Sequence, residues 1–524
     1  MASSSRALLR HGSTLSLLTF ASRILGLARE IVKAHLLGTS ALSDAYSVAF
    51  VIPNLFRRLF AEGSISVAFI PTFKEYLLEG DAAKIREFLS CMLTLLTCLV
   101  SLAVAVGIAV TPLIVPLFRL EAASEAVVLT RLMFPFLGFM SVAALFQGIL
   151  NSVHSFTPSG VAPILLNLAT IACAYGLSPF TANPARAMAI GILTGGLLEA
   201  AIQLPFVIRK GFSFHYTGLL RAMRNPGVKA VLRLIVPTIV GMAAYQLNDL
   251  VSTALASNAG VGVASSLQYS LRIQELILGV FAVSIGTVLL PDLAEHAKSG
   301  QWEAYNERLA NAVHIIALIT IPVTFFTLAQ GDNLIRLLFQ TSHFDEESVA
   351  LTRSAFTWHI PGLFFIALNR ILAPAFYAQS DSKSPNLAGL ISFGANMGLA
   401  ALLVRPLRGA GIAFALSAAS AVNTALLLLF LRRNPRVAVG RVLRSGGLYA
   451  VKLVAFSLCA VAPVWYFGPR LTERFVGKGR LIAYGLPLLV MGVMFAAVGV
   501  ALLLLSRDTQ VNALIRIVIR KKKT

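Results

Sequence analysis

Long apolar stretches separated by short polar breaks run almost the whole length of the chain. Fourteen can be drawn, over residues 12–36, 42–73, 87–117, 125–153, 158–180, 185–208, 228–257, 260–295, 305–330, 346–378, 384–405, 408–432, 445–468 and 480–506. Most reach or exceed the ~20 residues a helix needs to cross the hydrocarbon of a bilayer, so the pattern predicts an all-α integral membrane protein with 14 transmembrane helices. The longer stretches require tilt, bending or projection into water. Pro53 and Gly63 mark the second as a bent one.

The pattern also repeats. Residues 73–80 (FKEYLLEG), after Pro71, resemble residues 293–300 (LAEHAKSG), after Pro291, at an offset of 220. Ile149, Leu150, Pro163 and Ile190 correspond to Ile371, Leu372, Pro385 and Ile412 at an offset of 222. Six stretches, an even number, separate the copies, so both enter the membrane in the same direction. The expected architecture is two six-helix lobes related by a pseudo-two-fold axis along the membrane normal, with a substrate site between the halves. The corresponding segments are 1–210 for the N-terminal lobe, 211–440 for the C-terminal lobe with its preceding cytoplasmic loop, and 441–524 for two additional helices and a basic tail.

Composition agrees. Hydrophobic residues make up 57% of the 524 and charged residues only 13%, against about 25% charged in ordinary soluble domains. The net charge of +21 invites a nucleic-acid reading. The cations, however, sit between apolar stretches, as in Arg209–Lys210, in Arg432 to Arg444 and in the terminal Arg520–Lys523. Clusters so placed mark cytoplasmic loops and attract anionic headgroups, and no aromatic-interleaved basic patch accompanies them. Nucleic acid is excluded as a partner, and membrane lipids are expected. Lys and Arg follow stretches two, six, eight and twelve and fill the tail, which puts both termini in the cytoplasm. Arg470, Arg474, Lys478 and Arg480 are the exception, a basic loop on the expected outer side. Cys91, Cys98, Cys173 and Cys459 lie in apolar stretches without metal-ligand spacing and read as buried packing residues. Arg6 and Arg10 imitate a signal peptide, but Arg23 and Arg29 interrupt the following stretch, which reads as a retained first helix.

The informative residues are charges at bilayer depth. The first stretch holds Arg23, Arg29 and Glu30; the second Asp44, Arg57, Arg58 and Glu62; the seventh Asp249; the eighth Arg272 and Glu275. A central Arg costs ~2.5–3.5 kcal/mol on insertion scales, so these side chains must face a protein interior or a wet cavity. Arg23 and Glu30 share a helix face, and Arg272 and Glu275 are neighbours three apart. One reading makes them structural ion pairs, with Arg58 and Glu62 reaching an interface. The other uses their concentration at the start of each repeat: guanidinium offers a planar fork for phosphate oxygens, so a cavity lined by several suits a diphosphate. Five Arg face five carboxylates in this set, so its arithmetic is neutral. No phosphate-binding glycine loop, nucleophile elbow, HExxH helix or Cys/His cluster supports catalysis.

The run Ser22-Arg23-Ile24-Leu25-Gly26-Leu27-Ala28-Arg29-Glu30, then Ser43-Asp44-Ala45-Tyr46, then residues 53–63 (PNLFRRLFAEG) leading to Ala68-Phe69-Ile70-Pro71, resembles the MurJ/MviN family of lipid II flippases. The resemblance extends through residues 372–377 (LAPAFY) and Gly409-Ala410-Gly411 and fades after about residue 440. It implies the multidrug/oligosaccharidyl-lipid/polysaccharide exporter fold, a cationic cavity, and a groove for a polyprenyl tail along the last two helices. It carries substrate binding onto Arg23, Arg29, Arg57 and Arg272, with Asp44 also important and Glu30, Arg58, Glu62 and Glu275 in support. It implies alternating access that moves lipid II outward for peptidoglycan synthesis, a transporter and not an enzyme, with no resident cofactor. Cell-wall synthesis enzymes are further candidate partners. Coupling to Na+ or to the membrane potential is compatible with the sequence. Of the sodium ligands seen in some members, Asp249 and Asn396 fit, while Ala400 and Leu416 replace an Asp and a Thr. Val51 stands where many members carry a basic residue. The rival readings are a flippase for another polyprenyl-diphosphate oligosaccharide, a drug antiporter of the same superfamily, and a non-transporting scaffold for wall synthesis.

Overall fold

The computed structural model describes residues 2–59 and 64–512; side chains are described outside residues 2–16, 64–67, 236–246 and 280–288. The described residues of each of the fourteen apolar stretches are mainly helical, and no strand occurs among the described residues. Polar residues start many of the elements. Ser40 caps α2 (Ala41–Arg57), which follows α1 (Ala2–Leu37), by accepting from the Ser43 amide at 3.3 Å. After α3 (Ser64–Glu79), Asp81 accepts from the Ala83 and Lys84 amides to start α4 (Ala82–Ile114). Such caps satisfy amides that a first turn leaves without partners.

The second stretch carries two described helices. α2 ends at Arg57, four residues past Pro53, and α3 begins at Ser64; Gly63, and with it Glu62, lies outside the described residues. The fourth stretch divides into α5 (Ala123–Met133) and α6 (Phe136–Ser152) at Pro135. Then come α7 (Thr157–Gly176), α8 (Pro184–Arg209), the short α9 (Leu219–Arg224), α10 (Pro226–Ser257), α11 (Val263–Lys298) and α12 (Trp302–Phe339). α13 (Glu346–His359) and α14 (Gly362–Tyr377) meet at a 46° bend beside Pro361. α15 (Lys383–Leu431) contains two stretches, parted at Arg408, whose φ of 47° breaks the helix. α16 (Val439–Phe475) and α17 (Leu486–Leu505) complete the order. Among the described residues eight helices are long and apolar enough to cross a membrane, and the bent pair makes a ninth.

The expected loop at 470–480 is shorter than drawn. α16 continues to Phe475, so Arg470 and Arg474 belong to its last turns and only residues 476–480 form the connection. Extra helical turns here present the cations along a fixed helix face.

The chain forms two compact units, Met1–Gln268 and Tyr269–Thr524, divided within α11. In the first, Phe69, Phe73 and Phe88 stack with centroids 5.1 and 5.7 Å apart between α3 and α4. α7 and α8 approach backbone to backbone. A Cβ on Gly191 would lie 2.7 Å from the Thr170 Cα, and one on Gly195 2.8 Å from the Leu166 Cα. Lipid removes the usual hydrophobic drive between helices, so close van der Waals contact across small residues must supply the association. In the second unit Tyr305 on α12 donates to the Ala375 carbonyl of α14 at 2.6 Å, in a core with Leu293, Ile371 and Leu372.

Corresponding repeat positions behave alike within their own units. Gly80 and Gly300 both end a helix at φ +72°. Phe73 and Leu293, and Ile149 and Ile371, are fully buried. Of the cysteines, Cys91 is buried and Cys173 partly so, but Cys98 and Cys459 are exposed. A thiol on the lipid-facing side of a helix carries no burial requirement, which corrects the packing role expected for those two.

Candidate functional site

The charged residues of α1 meet a polar stripe on α2. Ser43, Ser47, Phe50, Asn54 and the Arg57–Arg58 pair follow one another at three- or four-residue spacing, so they share one side of that helix. Opposite them, Arg29 and Lys33 are one turn apart on α1. Arg29 is buried; its guanidinium donates to Glu30 Oε1 at 2.9 Å and lies 5.5 Å from the centre of the Phe50 ring. Ring face and carboxylate together compensate a cation withdrawn from water.

Lys33 is more deeply buried still, 2% exposed. Its ammonium donates to Ser47 Oγ at 2.6 Å and to Gln268 Oε1 at 3.3 Å, and sits 5.7 Å from the Tyr46 ring centre. Sequence reasoning missed this residue. Its signal was visible in the spacing, three residues after Glu30 and four after Arg29, but a lysine near the end of a stretch passes for one that reaches the interface.

Asp44 is also buried and does a different job. Its two carboxylate oxygens accept from the amides of Gly262, at 2.7 Å, and Ser265, at 2.8 Å, at the start of α11. A helix N-terminus leaves its first amides unpaired and carries partial positive charge, so the carboxylate is satisfied there without an Arg. The hydroxyl of Ser47, which accepts the hydrogen bond from Lys33, itself donates to the Ser43 carbonyl at 2.7 Å.

Further along α2, Arg57 Nε donates to Asn54 Oδ1 at 2.8 Å. Arg58 lies 3.7 Å from the Asp249 carboxylate of α10, and both are partly exposed. Asp44 and Arg57 are separated by ~20 Å of helical rise, so the polar stripe runs along α2 and is not gathered at one point. Arg23 is half-buried on α1. The first unit thus gathers Arg29, Glu30, Lys33 and Asp44 around one end of the stripe and Arg57, Arg58 and Asp249 around the other. In the second unit Arg272 contacts Glu275 at 2.9 Å, the three-residue pair expected from spacing.

Two of the four positions matched to sodium ligands carry no side-chain oxygen. Asp249 is engaged by the Arg58 guanidinium, whose charge opposes a second cation at that carboxylate. Asn396 is buried on α15, but Ala400 and Leu416 offer no side-chain oxygen. No group of three or more His, Cys, Asp or Glu residues suited to a metal occurs among the described residues.

What such a stripe can do chemically is bind anions by exchange. Each guanidinium with a carboxylate neighbour holds donors that a phosphate can take over. The helix geometry fixes where those donors point.

Comparison with known proteins shows the family and the fold. A family model described as "Lipid II flippase MurJ" matches residues 33–485. A Treponema pallidum protein designated "Probable lipid II flippase MurJ" is 47% identical over 511 residues, covering 96% of this chain and 97% of its own. The Burkholderia cenocepacia "Lipid II flippase MurJ" is 35% identical over 438 residues, 80% of this chain and 83% of its own. Among solved structures, a lipid II flippase MurJ in an inward closed conformation superposes with a TM-score of 0.78 at 23% identity, covering 94% of this chain and 99% of its own. An inward-facing multidrug transporter of the MATE family gives 0.64 at 16% identity, covering 80% and 96%. These two likenesses speak for the fold alone.

Proposed function

The chain belongs to the MurJ family of lipid II flippases, and from that premise we propose that it carries lipid II from the cytoplasmic to the outer leaflet of the bacterial inner membrane by alternating access. The observation that carries the reading is family membership over 96% of the chain. The run of charged side chains along α1 and α2 gives that membership its chemistry.

Arg23, Arg29, Arg57 and Arg272 bind the diphosphate. Before substrate arrives, Glu30 holds Arg29 and Glu275 holds Arg272. These carboxylates lower the cost of keeping cations at bilayer depth. The diphosphate then takes over the forks with paired N–H donors, and Glu30 and Glu275 reclaim them when it leaves. Asp44 keeps the start of α11 against α2 in the state described above, and loss of that contact accompanies the opposite one. The polyprenyl tail stays in lipid beside α16 and α17. Both termini lie in the cytoplasm, and enzymes of wall synthesis receive the product. An inside-negative potential favours outward movement of an anion by ~2.3 kcal/mol per charge per 100 mV. The residues present do not support a sodium site built on Asp249 and Asn396, so the potential is the better candidate for coupling.

The test is rescue of cells depleted of their own lipid II flippase. Wild type restores growth; Arg29→Ala reaches the membrane at the same level yet leaves lipid II on the cytoplasmic side. Normal growth with Arg29→Ala as the sole copy overturns the role of that side chain. Loss of a surface polysaccharide without lysis on depletion of this protein from its own host assigns a different lipid-linked sugar.

A further inference from the structure

The far end of α16 carries charge that a membrane-crossing helix ordinarily lacks. Arg441 and Arg444 lie near its start, while Arg470, Arg474, Lys478 and Arg480 lie at or just beyond its other end. Cations concentrate on the cytoplasmic side of membrane proteins, and only one end of this helix can be there. The cations at the second end therefore need a local partner.

Protein carboxylates do not provide it. Arg441 contacts Glu303, and Lys452, about three turns further along, contacts Asp508 at 2.7 Å. By contrast, none of Arg470, Arg474, Lys478 and Arg480 contacts a carboxylate among the described residues. Glu473 is the lone acidic residue between positions 461 and 485. Arg470 stacks at 4.0 Å on the Tyr466 ring and donates to the Tyr466 carbonyl, Lys478 lies 5.3 Å from the Phe475 ring centre, and Arg480 donates to the Gln340 carbonyl. None of these contacts supplies a negative charge. The turn is held by Gly477 and Gly479 at φ +86° and +81°, a conformation that side-chain-bearing residues rarely take.

Depth locates the cluster. Lys452 to Arg470 spans ~27 Å of helical rise and Lys452 to Arg474 ~33 Å, about one hydrocarbon thickness. Trp465, Tyr466 and Phe467 are all exposed just before the cations. Exposed aromatic rings followed by cations are what the boundary between acyl chains and headgroups selects. Val476 and Leu481, also exposed, flank Lys478 and add apolar contact for acyl chains.

We propose that the α16–α17 turn is a binding site for an anionic phospholipid headgroup, held by Arg474 and Lys478 with Trp465 and Tyr466 against the upper acyl chain. Arg470 and Arg480 extend the positive field, and the short turn keeps the cations at headgroup height. The site shares no residue with the polar stripe of α1 and α2 and does not depend on the transported substrate.

Trp465 is one of three tryptophans, which makes the site readable. In purified full-length protein carrying Trp302→Phe and Trp358→Phe, reconstituted in phosphatidylcholine nanodiscs, brominated phosphatidylglycerol quenches Trp465 more strongly than brominated phosphatidylcholine. A cation near an anionic surface contributes about fivefold in affinity, so Lys478→Gln lowers that preference about fivefold and Arg474→Gln with Lys478→Gln about 25-fold. Lys478→Arg preserves it, and high salt erodes it. Equal quenching by the two lipids in the protein with its cations intact overturns the assignment. So does a preference that Lys478→Gln leaves unchanged. Displacement of the brominated lipid by stoichiometric undecaprenyl diphosphate gives the patch to a polyprenyl lipid instead, and equally overturns it.

Discussion

Replacing Lys33 by Met tests whether the buried charges of the first unit work as one balanced group. Met keeps an unbranched apolar side chain close to the lysine stem in length and removes the ammonium. Arg29 and Lys33 supply two positive charges and Glu30 and Asp44 two negative ones, and both carboxylates act electrostatically on Lys33. The substitution deletes a 2.6 Å bond to Ser47 and a longer one, 3.3 Å, to Gln268. The first contributes ~1.5–3 kcal/mol as a charged hydrogen bond, although bonds between membrane helices average nearer ~0.6. Against this stands the relief of a desolvated ammonium, itself worth several kcal/mol when a buried cation has no partners. Because Glu30 and Asp44 remain, the variant carries an excess negative charge, and a net loss of about 1–3 kcal/mol is expected. Thermal unfolding in nanodiscs reads it as a lower Tm. Asp44→Asn in the same background restores neutrality, so the double variant loses less than the sum of the two, by about 1 kcal/mol or more. A Tm that rises in Lys33→Met, or strict additivity in the double variant, refutes the balanced-group argument.

Gly191→Leu forces α7 and α8 apart where the Thr170 backbone leaves 2.7 Å, and lowers thermal stability by ~1–3 kcal/mol, while the same change at the open Gly389 does not. Asp508, beyond the end of α17, accepts from Lys452 at 2.7 Å, from Tyr449 at 3.2 Å and from the Val511 amide at 3.2 Å. Burial opposes its charge, but those donors outweigh burial and hold the carboxyl below the usual carboxylate range. Its contribution is therefore complete above the unfolded value and lost as pH falls through the lowered folded one. Asp508→Asn removes that acid-side dependence and speeds proteolysis of the C-terminal segment at pH 7; an unchanged cleavage rate counts against the latch. Arg336 on α12 bonds Asp332 at 2.7 Å and Glu346 of α13. Glu346→Gln loosens that clasp and lowers Tm by ~1 kcal/mol equivalent, measured at low and high salt.

Windowed hydropathy found the helices because crossing lipid demands an uninterrupted apolar run, and the described residues of every stretch from 12–36 to 480–506 are mainly helical. It did not find where helices break or overrun. The single stretch 125–153 parts at Pro135 into α5 and α6, and α16 continues past Phe467 because Arg470 and Arg474 can sit in headgroups without leaving the helix. The repeat was legible for a firmer reason. Gly80 and Gly300 need the same left-handed backbone, and identical backbone demands leave identical residues. At the site, spacing gave Arg272 with Glu275, whereas the role of Asp44 was hidden. Its partners are main-chain amides of Gly262 and Ser265, more than 200 positions away, which no side-chain pattern advertises. Lys33 escaped because hydropathy weighs what a window contains and says nothing of which way a side chain points.

On the proposed reading, pairing of the arginines with acids follows from the task, and does not argue against it. An anion carrier in a bilayer must survive without its cargo, and bare guanidinium groups at that depth cost several kcal/mol each. Carboxylates on the same helix solve the empty state cheaply in geometry. Glu30 is the next residue after Arg29, and Glu275 is one turn from Arg272, so neither pair depends on the arrangement of other helices. Such acids can also let go. Glu275 is more than half exposed beside Arg272, so it can regain water when a diphosphate displaces it. The cargo brings about as much negative charge as two carboxylates, which keeps the loaded site as nearly neutral as the empty one. Arg29 is different: with Glu30 and Phe50 it is enclosed, so its exchange needs α1 to move against α2. On this argument Glu30→Gln weakens release at Arg29 more than Glu275→Gln does at Arg272. The first variant retains lipid II after purification and the second does not. Equal retention by both sinks the distinction.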